Sequence, residues 1–249
     1  MVSLALEFLL GVVLGSLGGL FGIGGGMLAI PALGVLFGLD QQLAQGTALV
    51  MVLPNVLVAL WRYHQHNRID PLQASVLAVA SLVCAFFAAR FAVNMDARHM
   101  RLAFVIFLAV LAFFLLLQLS RKAPQRGDTP RYRLHWMGAL GLGAGTLGGL
   151  FGVGGGVVAA PVLTSVFGLT QVAAQGLALA LAAPSTAVAL ATYAGHGHVD
   201  WQTGAALALG GMLSVSWGVR MAHVLPERGL RVAFSAFLVL CGLVLAIHA

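Results

Sequence analysis

Charge is scarce in this sequence. Thirteen basic and seven acidic side chains make up 8% of its 249 residues, against about 25% in an ordinary soluble domain. That leaves too little polar surface to cover a water-soluble globule. An ordinary soluble enzyme, a disordered regulator and a nucleic-acid-binding domain are therefore excluded. The sequence pI near 10.4 rests on a net charge of only +6. Its positive charges lie between apolar segments, the pattern that positive-inside bias produces. Cysteine is nearly absent: Cys84 and Cys241 sit in apolar stretches, with neither a disulfide framework nor metal-ligand spacing. Carboxylates are rarer still inside the apolar segments, where Glu7 alone stands, at an interfacial position near the N-terminus. A chain this poor in buried carboxylates is badly built to hold a bare cation through side chains.

What is abundant is apolar side chain and glycine. Hydrophobic residues reach 60% and mean hydropathy +0.99. The 32 glycines exceed the ~7% of average usage. Apolar segments run over 4–22, 27–38, 43–61, 72–92 and 100–119, and again over 135–152, 157–168, 173–191, 202–222 and 230–248. A bilayer core of ~30 Å needs about 20 apolar residues per helix, so 27–38 and 157–168 are too short and read as re-entrant or broken pieces. The first segment lacks a basic n-region and is expected to stay in the mature chain as a span. The fold class is all-α polytopic membrane protein. A first transmembrane repeat occupies 1–119, a Pro- and charge-rich linker 120–134, and a second repeat 135–249.

The repeat holds at an offset of 130 residues without a gap. SLGGLFGIGGG at 16–26 returns as TLGGLFGVGGG at 146–156. Pro31, Gln45, Pro54, Tyr63, His66, Asp70, Arg90, Arg98 and Arg101 return as Pro161, Gln175, Pro184, Tyr193, His196, Asp200, Arg220, Arg228 and Arg231. Transporters are commonly built this way, with the substrate at the repeat interface. If each half crosses four times, the halves are parallel and the positive charges split seven against six. If 4–38 enters and leaves on one face, the halves are inverted. The split then becomes ten against three, with only Arg90, Arg98 and Arg101 outside. The positive-inside rule favours inverted repeats, with both termini in the periplasm.

Three consecutive glycines inside an apolar segment break the helix, because glycine permits φ > 0 and exposes backbone N–H groups. Such a break in a membrane is tolerated where the freed backbone is buried or lines a cavity. Helices restarting at Met27 and Val157 would aim their N-termini, and the positive ends of their dipoles, at the break, an arrangement suited to an anion. Gly24, Gly25, Gly26, Gly154, Gly155 and Gly156 are thus candidate substrate-binding residues. Gly11, Gly15, Gly18 and Gly19 read instead as close helix packing. The glycine run is not a dinucleotide fingerprint, which needs a preceding strand. The following span supplies the polar candidates Gln45, Thr47, Asn55, Gln175 and Ser185. Pro54-Asn55 and Pro184-Ser185 lie where a proline frees a carbonyl. The competing reading is a patched kink or an interhelical hydrogen bond. In Tyr63/His66/Asp70 and its repeat, the aspartates read as helix N-caps, with Pro71 at N1, and the histidines as exposed loop residues. Arg90 and Arg220 read as snorkelling arginines near helix ends. No nucleophile–base pair, metal set or cofactor motif is found, so the expectation is a transporter and not an enzyme.

The doubled LGGLFG[IV]GGG, each followed by a proline five residues beyond its last glycine, resembles the TauE/SafE family of sulfite and organosulfonate exporters. The resemblance covers essentially the whole chain. It implies a multi-pass carrier of the bacterial inner membrane that exports a small sulfur-containing anion such as sulfite or sulfoacetate. The composition and spacing alone imply a small anion. An anion channel, or a carrier for a different small organic anion, is the alternative. Beyond the anion and the lipid bilayer, protons as coupling ion and a homodimer are both compatible with the sequence, and no residue identifies either.

Overall fold

The computed structural model describes residues 4–66, 69–119 and 134–224, with positions 229, 232 and 236 besides. Nearly all of the expected span 230–248 and of the linker lies outside these residues. Nine α-helices are found among them: α1 (Leu4–Phe21), α2 (Gly26–Phe37), α3 (Gln41–His66), α4 (Pro71–Ala92), α5 (Ala97–Leu119), α6 (Leu134–Phe151), α7 (Gly156–Ser165), α8 (Gln171–Gly195) and α9 (Trp201–Val224). Six of them (α1, α3, α4, α5, α8 and α9) are long and apolar enough to cross a membrane. The outward faces are apolar, as lipid requires: Leu102, Ile106, Val110, Phe113 and Leu117 form an exposed stripe on α5. Trp61, Trp136 and Trp201 are exposed near helix ends, where interfacial tryptophans anchor a span.

Local chemistry sets the helix ends. The Leu72 amide donates to Asp70 Oδ1 at 2.9 Å, with Pro71 at the first position of α4. The Gln202 amide does the same to Asp200 at 3.1 Å, opening α9. The two aspartates therefore cap, as their positions imply. Arg90 and Arg220 are exposed in the last turns of α4 and α9, consistent with snorkelling.

Packing depends on small residues. Gly11, Gly15 and Gly19 of α1 lie against the backbone of Leu207, Gly211 and Val215 of α9. Gly141, Gly145 and Gly149 of α6 lie in the same way against Leu77, Ser81 and Ala85 of α4. Both ladders ascend together, so each pair is parallel. The backbones come close enough to substitute dispersion contacts for the hydrophobic effect that lipid does not supply. Each half thus packs its first helix on the other half's long helix. Gly18 has a different neighbour: it faces Gly24 and Gly25, where the chain folds back after α1.

The central pair, α3 and α8, runs antiparallel. Tyr63 bonds Gln175 and Tyr193 bonds Gln45, so high numbers on one helix meet low numbers on the other. One end of the bundle gathers Gln42 with Met95 and Thr47 with Asp200. The opposite end gathers Ile69 with Gly176. Because α1 runs parallel to α9 from the Asp200 end, and α3 begins at that same end, the segment from Leu4 to Asp40 starts and finishes on one side.

Candidate functional site

Both glycine breaks adopt one conformation. Gly22, Gly24 and Gly25 have φ of +67°, +70° and +88°, and Gly152, Gly154 and Gly155 have +67°, +74° and +73°. All are left-handed, a region that excludes most L side chains. Gly25 and Gly155 serve as N-caps of α2 and α7 without a side-chain cap. Leu28 and Ala29 donate to the Gly25 carbonyl, and Val158 and Ala159 to that of Gly155. The amides of Gly26, Met27, Gly156 and Val157 precede the first intrahelical bonds and have no helical partner. The two breaks meet: a methyl built on Gly26 would lie 3.4 Å from the Gly152 carbonyl oxygen and 3.7 Å from Val153 Cα. Two positive helix ends therefore converge in a buried core in which no acidic side chain is buried apart from Glu7, among the described residues.

The flanking polar residues divide by role. Gln45 and Gln175 are buried, and each crosses to the break of the opposite half. The Gln45 side chain packs on Gly152, and that of Gln175 on Gly22. Tyr63 donates to Gln175 Oε1 at 2.7 Å and Tyr193 to Gln45 Oε1 at 2.8 Å. Gln175 Nε2 donates to the Leu20 carbonyl at 3.4 Å, whereas Gln45 Nε2 is buried without a partner. Ser185 donates toward Gly154 O at 3.0 Å and toward its own helix at Leu181 and Ala182, which fixes the break's carbonyl on α8. Its counterpart Asn55 is buried with both amide atoms unpartnered and packs against Gly211 of α9. The position equivalent to Gly211 in the other half is Ser81 of α4, whose hydroxyl donates to the Leu181 carbonyl of α8 at 3.1 Å. Thr47 accepts the Asp200 amide at 3.0 Å and ties α3 to the start of α9, away from the breaks.

Sequence reasoning missed Tyr63 and Tyr193 as site residues, although their identity in both halves within long apolar spans was a usable signal. It also missed Thr186, which is buried without a partner. A methyl on Gly154 would stand 2.5 Å from its Oγ1. His64 and His196 are exposed at helix ends, and the side chain of His66 lies outside the described residues. Among the described residues no three His, Cys, Asp or Glu side chains gather as a metal site.

A family model for the sulfite exporter TauE/SafE matches residues 7–245. The chain belongs to the TauE/SafE family. Similar proteins agree. A probable membrane transporter protein of Methanocaldococcus jannaschii is 32% identical over 66% of this chain. That alignment spans 62% of the relative's own length, under two thirds of it. The probable membrane transporter protein YunE of Bacillus subtilis is 21% identical over 97% of this chain and 96% of its own. YdhB of the same organism, also a probable membrane transporter protein, is 23% identical over 98% and 99%. The family and its relatives make this chain a multi-pass membrane transporter rather than an enzyme, in keeping with six apolar spans among the described residues.

Proposed function

We propose that this transporter is a secondary carrier for a small sulfur oxyanion, sulfite or an organosulfonate such as sulfoacetate, and that it exports that anion across the bacterial inner membrane. One observation carries the reading: two uncapped helix N-termini converge in a buried core, with amide hydrogens that no helical bond uses. Such ends favour negative charge and donate hydrogen bonds to it. The sulfur-oxyanion class comes from the sulfite exporter family to which the chain belongs. Pyramidal or tetrahedral oxygens suit donors that arrive from both breaks.

The two halves act as inverted repeats, each opening with a re-entrant hairpin. The antiparallel α3/α8 pair and the shared end of Leu4 and Asp40 support this, since parallel repeats would make α3 and α8 parallel. It also gives the ten-against-three charge split that the positive-inside rule favours. Alternating access follows from one half rocking on the other around the paired breaks.

The test is uptake into liposomes carrying purified protein, with sulfite, sulfoacetate, thiosulfate and chloride, with and without a pH gradient. Saturable sulfur-anion flux is expected. Folded protein that moves none of the sulfur anions overturns the reading, and chloride flux alone points to a channel.

A further inference from the structure

The pseudo-symmetry of the core is also broken beside the glycine breaks, and there the difference has a direction. At the first glycine break, Gly24 faces the apolar Val56 and Val52. The nearby Gln175 is engaged at both ends, its oxygen accepting from Tyr63 and its nitrogen donating to the Leu20 carbonyl. At the second break, the residue equivalent to Val56 is Thr186, and its hydroxyl is aimed at Gly154. The residue equivalent to Gln175 is Gln45, and its Nε2 has no partner. Thr186 and Gln45 are fully buried.

Thr186 departs from the habit of other threonines within the helices. Thr146, Thr164 and Thr192 each donate to the carbonyl one turn back, the ordinary refuge of a helical hydroxyl in an apolar setting. Thr186 does not. A buried donor left unpaired is costly, and buried polar groups without partners call for a specific explanation. Of the other unpartnered buried amides on the central helices, Asn55 packs on Gly211 and not on a break, and Gln41 stands at the first position of α3. Two unpaired donors therefore flank one break only, beside the uncapped N-terminus of α7.

We infer that the anion is bound asymmetrically, at the second break. Thr186 Oγ1 and Gln45 Nε2 are its side-chain contacts, and the first-turn amides of α7 are its backbone contacts. Every member can donate a hydrogen bond, which suits an oxyanion with three oxygens to satisfy, and apart from Glu7 no acidic side chain is buried among the described residues to draw a cation there instead. Tyr193 and Ser185 are positioning residues. Tyr193 holds Gln45 by its oxygen so that the nitrogen is free, and Ser185 draws the Gly154 carbonyl onto α8, out of the donor cluster. The first break, lined by valine, serves as the dry counterpart against which the occupied half moves. The inference rests on the anion-carrier reading and adds which half binds.

The experiment measures binding apart from flux. Calorimetric titration of sulfite and of sulfoacetate into the full chain in nanodiscs gives affinity, and liposome uptake gives transport. Thr186→Val, nearly isosteric, is expected to weaken the affinity at least tenfold, the usual scale for losing a hydrogen bond to a charged group. Thr186→Ser is expected to restore most of it. Thr164→Val makes the same chemical change at a buried threonine that is already bonded within α7, and is expected to leave affinity unchanged. Thermal unfolding confirms that all three fold. Wild-type affinity in folded Thr186→Val overturns the inference. Binding that depends on Thr186 without any flux upholds the site and overturns the carrier reading. Absence of binding by wild type to either anion overturns both.

Discussion

The sharpest structural prediction concerns two glycines one turn-fraction apart on α6. Gly145 sits on α4: a methyl there would stand 2.5 Å from Ser81 Cα and 2.8 Å from Ser81 C, well inside the ~3.5–4 Å of an ordinary carbon contact. Backbone atoms have no rotamer to escape into, so α4 and α6 must part by about 1 Å. Parting also loosens the contacts of Gly141 and Gly149 on the same ladder. Overpacking of this kind costs about 1–3 kcal/mol, offset in part by the ~1 kcal/mol that alanine gains over glycine within a helix. Gly143, two residues earlier, has nothing within 4 Å and collects the propensity gain alone. The net cost of about 0–2 kcal/mol is expected to lower the Tm of Gly145→Ala by up to about 8 °C, at roughly 2–4 °C per kcal/mol for a chain of this size. Gly143→Ala is expected to hold or raise it. Tryptophan fluorescence during heating in detergent reads both, with Trp136 on the same helix as an intrinsic reporter. Equal melting of the two variants would show that the α4–α6 ladder is not the close contact described.

Other outcomes follow from the same geometry. Tyr193→Phe strips Gln45 Oε1 of its donor and should cost about 1–3 kcal/mol, seen as an earlier melt in the same assay. An unchanged melting curve would mean that the Tyr–Gln pair is not formed. Asp70→Ala removes the cap of α4 and should cost about 1 kcal/mol, with Asp70→Asn largely preserving it; the same melts decide. Single cysteines placed at His64 and at His196, in a chain with Cys84 and Cys241 replaced by alanine, should be labelled from opposite membrane faces by an impermeant thiol reagent. Labelling from the same face would exclude inverted repeats.

Most of the elements were legible in the residues because they depend on local physics. Apolar runs of bilayer length make spans, three glycines in a row end a helix, and Asp-Pro starts one. The positions at which α2 and α7 begin and the caps at Asp70 and Asp200 follow from interactions within a few residues, and the packing glycines of α1 were legible at Gly11, Gly15 and Gly19, while Gly18 turned out to face Gly24 and Gly25. The candidate site was legible in part. Gln45, Gln175 and the glycine triplets stand together in the core, yet Thr47 proved to be engaged at the start of α9 and Asn55 to face Gly211.

Partnership between helices is a different kind of information. That Tyr63 reaches Gln175, that Gly15 meets Gly211, and that Thr186 points at Gly154 while Val56 holds the equivalent place at Gly24 depend on which helices run side by side and in which direction. Direction depends in turn on whether each half crosses the bilayer an odd or an even number of times, which a periodicity or a propensity does not register. The sequence by itself therefore determined the spans, the breaks and the small face of α1. Only the tertiary structure decided which helices exchange partners across the two halves, and which buried donors are left without one.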